Sequence, residues 1–466
     1  MKPINNILMI LCAAASGLLL TPLAGQADDN PASSFYLKDG DNVCFYGDSI
    51  TEQRFYGVDV EAYVRTRFPN LHVKFVNSGV GGDKVTGGWA GRIDLRLERD
   101  VFPFKPNVVT IMLGMNDAQY RAFDLRTFEV YSNGYVHIIQ SLQQHLPGVR
   151  IVLIEPSPYD DVTEPPKFPG GYNAVLERYS ASIRQLGAAH HLAYVDFNRP
   201  LVDVMQKARA EQPQVAHQVI PDRIHPSPAG ELVMAKALLQ AWNAPATVTA
   251  VAIDAAQNSV AYSDNTAVSG LASTNGILSW TQNDRCLPFP ILALHENWPQ
   301  FPPTERAAGS LSFFWPAPSP RWDYTNAATE TIVQDCNFYQ ALDQESLQVS
   351  GLPAGNYQLK INGQVIGEFS AAELHAGINL ARYHTPMLEQ SYHVLHLAWQ
   401  EVQWRFFAWR GIQTQLSSDR DPDVQKATER LIAALEAEKA ELVNQQYAAA
   451  QPQPTHYELI HQADSK

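Results

Sequence analysis

From Ser34 to about Pro245, short apolar runs alternate with longer stretches whose apolar residues recur every three or four positions. The runs are NVCFY (Asn42–Tyr46), HVKFVN (His72–Asn77), VVTIML (Val108–Leu113), VRIVLIE (Val149–Glu155) and AYVDF (Ala193–Phe197). They are rich in Val, Ile and aromatics, and several are apolar on both faces, which predicts five buried strands. Between them VDVEAYVRTRF, RIDLRLERDVF, TFEVYSNGYVHIIQSLQQHL and NAVLERYSASIRQLGAAHH read as helices. A last helix opens at Ser227-Pro228, a capping residue followed by a first-turn proline. Alternating strands and helices predict a three-layer α/β/α unit around a five-stranded parallel sheet. Reactive groups in such sheets gather beyond the carboxyl ends of the strands.

Past Pro245 the pattern changes. Short strand-like pieces such as VTAVAI and SLSFFW lie among Ser, Asn, Pro and Trp. LQVSGLPAGNYQLKINGQVIGEFS (Leu347–Ser370) predicts three strands, with a hairpin at Asn362–Gly363, because the Asn-Gly pair suits a tight type I′ turn. Helical patterns follow from about Pro386 to Gln413, and again from the Asp421-Pro422 cap through RLIAALEAEKAELV. Leu431, Leu435 and Leu442 form a stripe expected to pack on the helix's own domain, with a homo-oligomer seam through the C-terminal helices as the alternative. The expected division is an α/β domain over 34–245, a β-rich accessory region over 246–380, helices over 381–450 and a flexible tail over 451–466.

The first residues have a leader's pattern: Lys2, an apolar run from Ile7 to Leu20, and small residues at Gly25 and Ala27. This predicts a secretory signal over 1–27, and a periplasmic or extracellular location. A net charge of -14 disfavours nucleic acid and anionic membranes as partners, since both need a basic face. No later run is long and apolar enough to predict a membrane span. Cys44 sits in an apolar strand and reads as a small buried hydrophobe; Cys286 and Cys336 leave a disulfide open. No CxxC or HExxH motif occurs, so neither metal nor cofactor is expected.

The strand ends carry the chemistry. The first run stops in Gly47-Asp48-Ser49, the second leads into SGVGGDKVTGG, and the third ends in LGMNDA, which contains Asn116. PDRIHPSPAG brings Asp222 and His225 just ahead of the Ser227-capped helix. A serine alcohol needs a general base, an imidazole suits that task, and a carboxylate fixes the imidazole's tautomer. The oxyanion of a tetrahedral intermediate needs preorganised donors. The Ser49 N–H, a glycine N–H of the second loop and the Asn116 amide are candidates. Taken alone, Ser49 reads first as a helix cap and only second as a nucleophile, and Asn116 reads as an ordinary turn residue; the company of Asn116 and Asp222-x-x-His225 reverses the first reading. The glycine cluster fits neither phosphate-binding template. His190-His191 reads as solvent-facing, and Trp280, Trp298, Trp315 and Trp322 read first as packing and second as sugar-stacking residues.

YGDSIT, NSGVGGD, LGMND and DRIHP together resemble the four sequence blocks of the SGNH hydrolases, or GDSL esterases. The likeness runs from roughly Asp41 to Trp242. It implies the flavodoxin-like SGNH fold, with Ser49 as nucleophile, His225 as base and Asp222 as its partner. The implied oxyanion donors are the Ser49 amide, Gly82 and Asn116. Gly82 is preferred over Gly79 and Gly81 because it precedes Asp83 as the family glycine precedes its acidic residue, with Gly81 second. The resemblance implies a secreted carboxylic ester hydrolase that needs no cofactor, with acetyl groups on carbohydrate as the leading substrate. A lysophospholipase or thioesterase, or a glycan-binding protein on a hydrolase scaffold, are the alternatives.

Overall fold

The computed structural model describes residues 34–291, 326–416 and 420–462. The leader lies outside them, as do the SLSFFW run and Trp298, Trp315 and Trp322. Strands β1 (Asn42–Gly47), β2 (Lys74–Gly79), β3 (Val108–Met112), β4 (Arg150–Ile154) and β5 (Ala193–Val195) form one sheet in the order β2-β1-β3-β4-β5. Every pairing in it is parallel. β3 is buried along its whole length and β1 nearly so, as central strands with helices on both faces must be.

The helices of this unit are α1 (Ser49–Glu52), α2 (Phe55–Arg67), α3 (Ile93–Asp100), α4 (Leu125–His145), α5 (Asn173–His190), α6 (Asn198–Glu211), α7 (Pro213–Val219) and α8 (Pro228–Ala241). The Ser227 side chain accepts from Gly230 N–H at the start of α8, and Pro228 occupies its first turn. α6 and α7 were not among the helices expected, although Leu201, Val202, Val204, Met205 and Ala208 recur at helical spacing in α6. The strand order turns back at β1, so the crevice beyond β1 and β3 is the topological switch point where open α/β sheets place their ligands.

The rest of the chain builds a two-sheet sandwich and a helical hairpin. Its strands are β6 (Thr247–Asp254), β7 (Ser259–Asp264), β8 (Thr266–Thr274), β9 (Ile277–Asp284), β10 (Gln344–Ser350), β11 (Asn356–Ile361), β12 (Gln364–Ser370), β13 (Ile378–Asn379) and β14 (Thr455–Gln462). One sheet runs β8-β9-β14-β11-β12 and the other β13-β10-β6-β7. Their inner faces share one apolar core, in which Trp280 stacks on Tyr457 with ring centroids 5.1 Å apart. The Asn362–Gly363 turn has positive φ at both residues, as a type I′ turn requires.

The expected flexible tail is corrected. β14 pairs with β9 on one side and β11 on the other, so the chain's last strand is the middle of its sheet. Alternation of Thr455, Tyr457 and Leu459 inward against His456 and Glu458 supports it, but eight residues after a polar Gln-Pro stretch carry little signal alone.

Short helices α9 (Asn326–Asp335), α10 (Phe338–Leu342) and α11 (Ala371–Ala376) precede the hairpin of α12 (Pro386–Phe406) and α13 (Pro422–Ala449). A π-helical turn, Phe407–Gln413, extends α12. α13 lies along α12, with Leu435 and Leu442 half-buried and Leu431 exposed. α12 in turn covers α2, where Phe55 stacks on Trp399 at 5.5 Å and the Arg54 guanidinium lies 3.9 Å from the Phe406 ring centre.

All thirteen residues of α2 are buried, charged ones included. Arg65 donates to Glu61, to Val73 O and to Gln446 of α13; Arg67 donates to the carbonyls of Pro245, Thr247 and Leu342 and to Asp343. These partners offset a desolvation cost of several kcal/mol per buried ion. Four of the seven come from beyond Pro245.

Candidate active site

β1 ends at Gly47, and Asp48 caps α1 by accepting from the Ile50 N–H, so the polypeptide reverses at once and lifts Ser49 out of the sheet. Gly47 has no room for a side chain, because a Cβ there would lie 2.1 Å from the Thr51 hydroxyl. Ser49 therefore answers two descriptions: it is the first helical residue, and the cap is its neighbour Asp48.

The loop before α8 supplies the imidazole. Asp222 accepts from the backbone N–H of Ile224 at 3.0 Å and of His225 at 2.7 Å, which closes a tight turn. Its other oxygen lies 2.7 Å from His225 Nδ1, and His225 Nε2 lies 2.8 Å from Ser49 Oγ. Arg223, at a positive φ of 72°, points the opposite way and ties the turn to Asp160 O, Asp161 and Pro165 O. Burial alone would raise the Asp222 carboxyl, but the His225 ring and the two backbone donors more than offset it and hold it at about 2.

A carboxylate on Nδ1 fixes the proton there and leaves Nε2 as an acceptor facing a hydroxyl. That arrangement can take the proton of Ser49 as its oxygen attacks an electrophile.

The candidate oxyanion donors border the same crevice. Gly82 has φ +76°, a region that favours glycine, and its N–H donates to nothing among the described residues. Gly81 N–H is already engaged by Glu52, and Gly79 closes β2, so the three glycines of the loop do different work. The Ser49 N–H, at the start of α1, likewise has no protein acceptor. Asn116 Nδ2 lies 3.2 Å from Asp83 O and 3.4 Å from the Asp48 carboxylate.

Burial pushes Asp48 and Asp117 up to about 7, opposed by one backbone N–H on each. Asp83, also raised by burial, is held by Arg96 at 3.0 Å.

Four side chains at this site escaped sequence reasoning. Tyr120 donates to Asn116 Oδ1 at 2.9 Å and so fixes which way the amide faces, with its nitrogen toward Asp83 O and Asp48. It stands on two consecutive left-handed residues, Gln119 and Tyr120, which no residue type there announces. Glu52, Trp89 and Arg410 meet beside Gly81. Arg410 comes from the π-helical turn, 358 positions after its partner, beyond the reach of any local pattern.

Other expectations resolve simply. Cys44, Cys286 and Cys336 are free and buried, so Cys286 and Cys336 form no disulfide. Among the described residues, no three potential ligands cluster as a metal site would require, and no helix is long and apolar enough to cross a membrane. Trp280 is core, and His191 is exposed with His190 half-buried.

Residues 45–232 match the model of the GDSL-like lipase/acylhydrolase family. An acetylxylan esterase from Geobacillus stearothermophilus is 29% identical over 225 residues, which span 43% of this chain and 93% of that protein. The solved structure of BT4096, described as a gut microbial diltiazem-metabolizing enzyme, shares the fold across both parts of the chain. Its TM-score is 0.76 at 24% identity, covering 92% of this chain and 99% of that one. The four sequence blocks, the 2-1-3-4-5 parallel sheet and the matched family model agree: residues 45–232 form a GDSL-like lipase/acylhydrolase domain of the SGNH type, and the chain is a carboxylic ester hydrolase.

Proposed function

We propose that this chain is a secreted serine esterase that removes small acyl groups, acetyl foremost, from carbohydrate through an acyl-enzyme. One observation carries the catalytic part: the His225 ring lies between the Ser49 hydroxyl at 2.8 Å and the Asp222 carboxylate at 2.7 Å. Ser49 Oγ attacks the ester carbonyl carbon while His225 Nε2 takes its proton. Asp222 holds Nδ1–H and steadies the imidazolium that forms. The carbonyl oxygen, now negative, is received by the N–H groups of Ser49 and Gly82 and by Asn116 Nδ2. His225 gives its proton to the departing alcohol as the carbon–oxygen bond breaks. Water then attacks the acyl group as His225 takes one of its protons; His225 returns that proton to Ser49 Oγ as the acyl–oxygen bond breaks, and the carboxylic acid leaves with the other.

The substrate class draws support from the likeness to an acetylxylan esterase over nearly that protein's full length. The leader-like N-terminus supports export. A fluorophosphonate should label one hydroxyl, located by mass spectrometry at Ser49, and Ser49→Ala should abolish both labelling and turnover. Acetyl aryl esters should be preferred over long-chain ones, and acetylated glycans should release acetate. A strong long-chain preference would replace the carbohydrate reading with a lipid acyl hydrolase; labelling elsewhere would refute Ser49 as nucleophile.

A further inference from the structure

We propose that Trp89 and Arg410 are positioning residues that aim the Gly82 N–H at the developing oxyanion. The inference rests on the catalytic reading above. A trans peptide is planar, and its C=O and N–H point in opposite directions. The oxygen of the Gly81–Gly82 peptide accepts from the Trp89 indole N–H at 2.9 Å. That bond fixes the direction of the opposite end of the same plane, the unpartnered Gly82 N–H.

The preceding peptide is held as well: Gly81 N–H donates to Glu52 Oε2 at 2.7 Å. Glu52 is itself held, because its other oxygen accepts from Arg410 Nε at 2.9 Å and Nη2 at 2.6 Å. The Arg410 guanidinium lies 4.2 Å from the Trp89 ring centre, which closes a ring of contacts Arg410–Glu52–Gly81–Trp89.

Four features argue that this ring serves the site rather than the fold. Trp89 is 60% exposed, so burial does not account for a tryptophan there. The clamped element is a pair of adjacent glycines, which without side chains of their own wander most freely when untethered. A Cβ built on Gly81 would sit 3.8 Å from the Ser49 Cβ, so the clamped loop lies against the nucleophile. The residue that completes the ring projects from a π-helical turn, a distortion frequent at functional sites.

The test uses full-length protein and 4-nitrophenyl acetate, with kcat, KM and melting temperature recorded for each variant. Trp89→Phe keeps the ring and loses the N–H; Arg410→Met removes the guanidinium, and Arg410→Lys restores the charge. Losing an oxyanion donor outright costs about 10²–10³ in kcat. Loosening one is expected to lower kcat roughly 10- to 100-fold, with KM within about twofold and melting unchanged. Arg410→Lys should recover part of the rate. The Trp89→Phe/Arg410→Met double variant should lose less than the product of the single losses, since both act on one peptide.

If Trp89→Phe raises KM and spares kcat, the indole is a substrate platform and the positioning role is overturned. If only the melting temperature falls, the ring of contacts is structural and the role is again overturned. Should Arg410→Met fail to fold, Trp89→Phe decides alone. Turnover that survives Ser49→Ala would overturn the catalytic reading itself, a result distinct from any of these.

Discussion

Replacing Asp222 by Asn changes one atom's chemistry and little of its geometry. The oxygen that accepts from Ile224 N–H at 3.0 Å and His225 N–H at 2.7 Å is retained, so the turn keeps both backbone bonds. The other oxygen, 2.7 Å from His225 Nδ1, becomes an NH₂ group. Two donors cannot face each other, so Nδ1 must become the acceptor and the ring proton moves to Nε2. That proton then points at Ser49 Oγ, 2.8 Å away, where an acceptor is needed. The base is blocked, and the imidazolium loses its counter-charge. In other triads this change lowers kcat about 10⁴-fold, equivalent to about 5.4 kcal/mol of transition-state stabilisation. Steady-state hydrolysis of 4-nitrophenyl acetate should show that loss, while circular dichroism and the melting temperature stay close to wild type. A variant within tenfold of wild type, well folded and still dependent on Ser49, would refute the assignment of Asp222 as the partner of His225.

Further outcomes follow from burial. Asp117 is raised to about 7, while an unfolded Asp titrates near 4. Below pH 4 both states are protonated; as pH rises to 7 the unfolded state ionises first, so stability falls across that window by about 4 kcal/mol at most. Asp117→Asn keeps an acceptor for the Val85 N–H and should flatten the fall in melting temperature between pH 4 and 7; an unchanged slope would count against a protonated Asp117. A fragment comprising 34–245 should aggregate or lack a cooperative transition, because Arg65 loses Gln446 and Arg67 loses Thr247, Leu342 and Asp343. A sharp melt near that of the whole chain would show that α2 tolerates exposure.

The α/β sheet was legible because each of its strands is a short run of Val, Ile and aromatics between amphipathic helices. The active-site blocks were legible because they lie at strand ends, where spacing and residue type coincide. α7 is only seven residues long and carries little periodic signal, whereas α6 shows helical spacing in Leu201, Val202, Val204, Met205 and Ala208 and was passed over. The tail was misread because β14 gains its stability from two neighbours distant in sequence. Glu52 and Arg410 illustrate the general limit: an ion pair between residues 358 positions apart leaves no trace in either local pattern. The charges of α2 were equally opaque, since a Lys- or Arg-bearing helix face reads as solvated until its covering elements are known.

The placement of β14 also sets a timetable. β14 is hydrogen-bonded on both sides, so β9 and β11 have no common neighbour until residues 455–462 have left the ribosome. The second module is therefore completed only once Thr455–Gln462 have been made, while the α/β sheet can form earlier. The flank of α2 that α12 covers stays exposed for the shorter interval before Pro386–Phe406 are made.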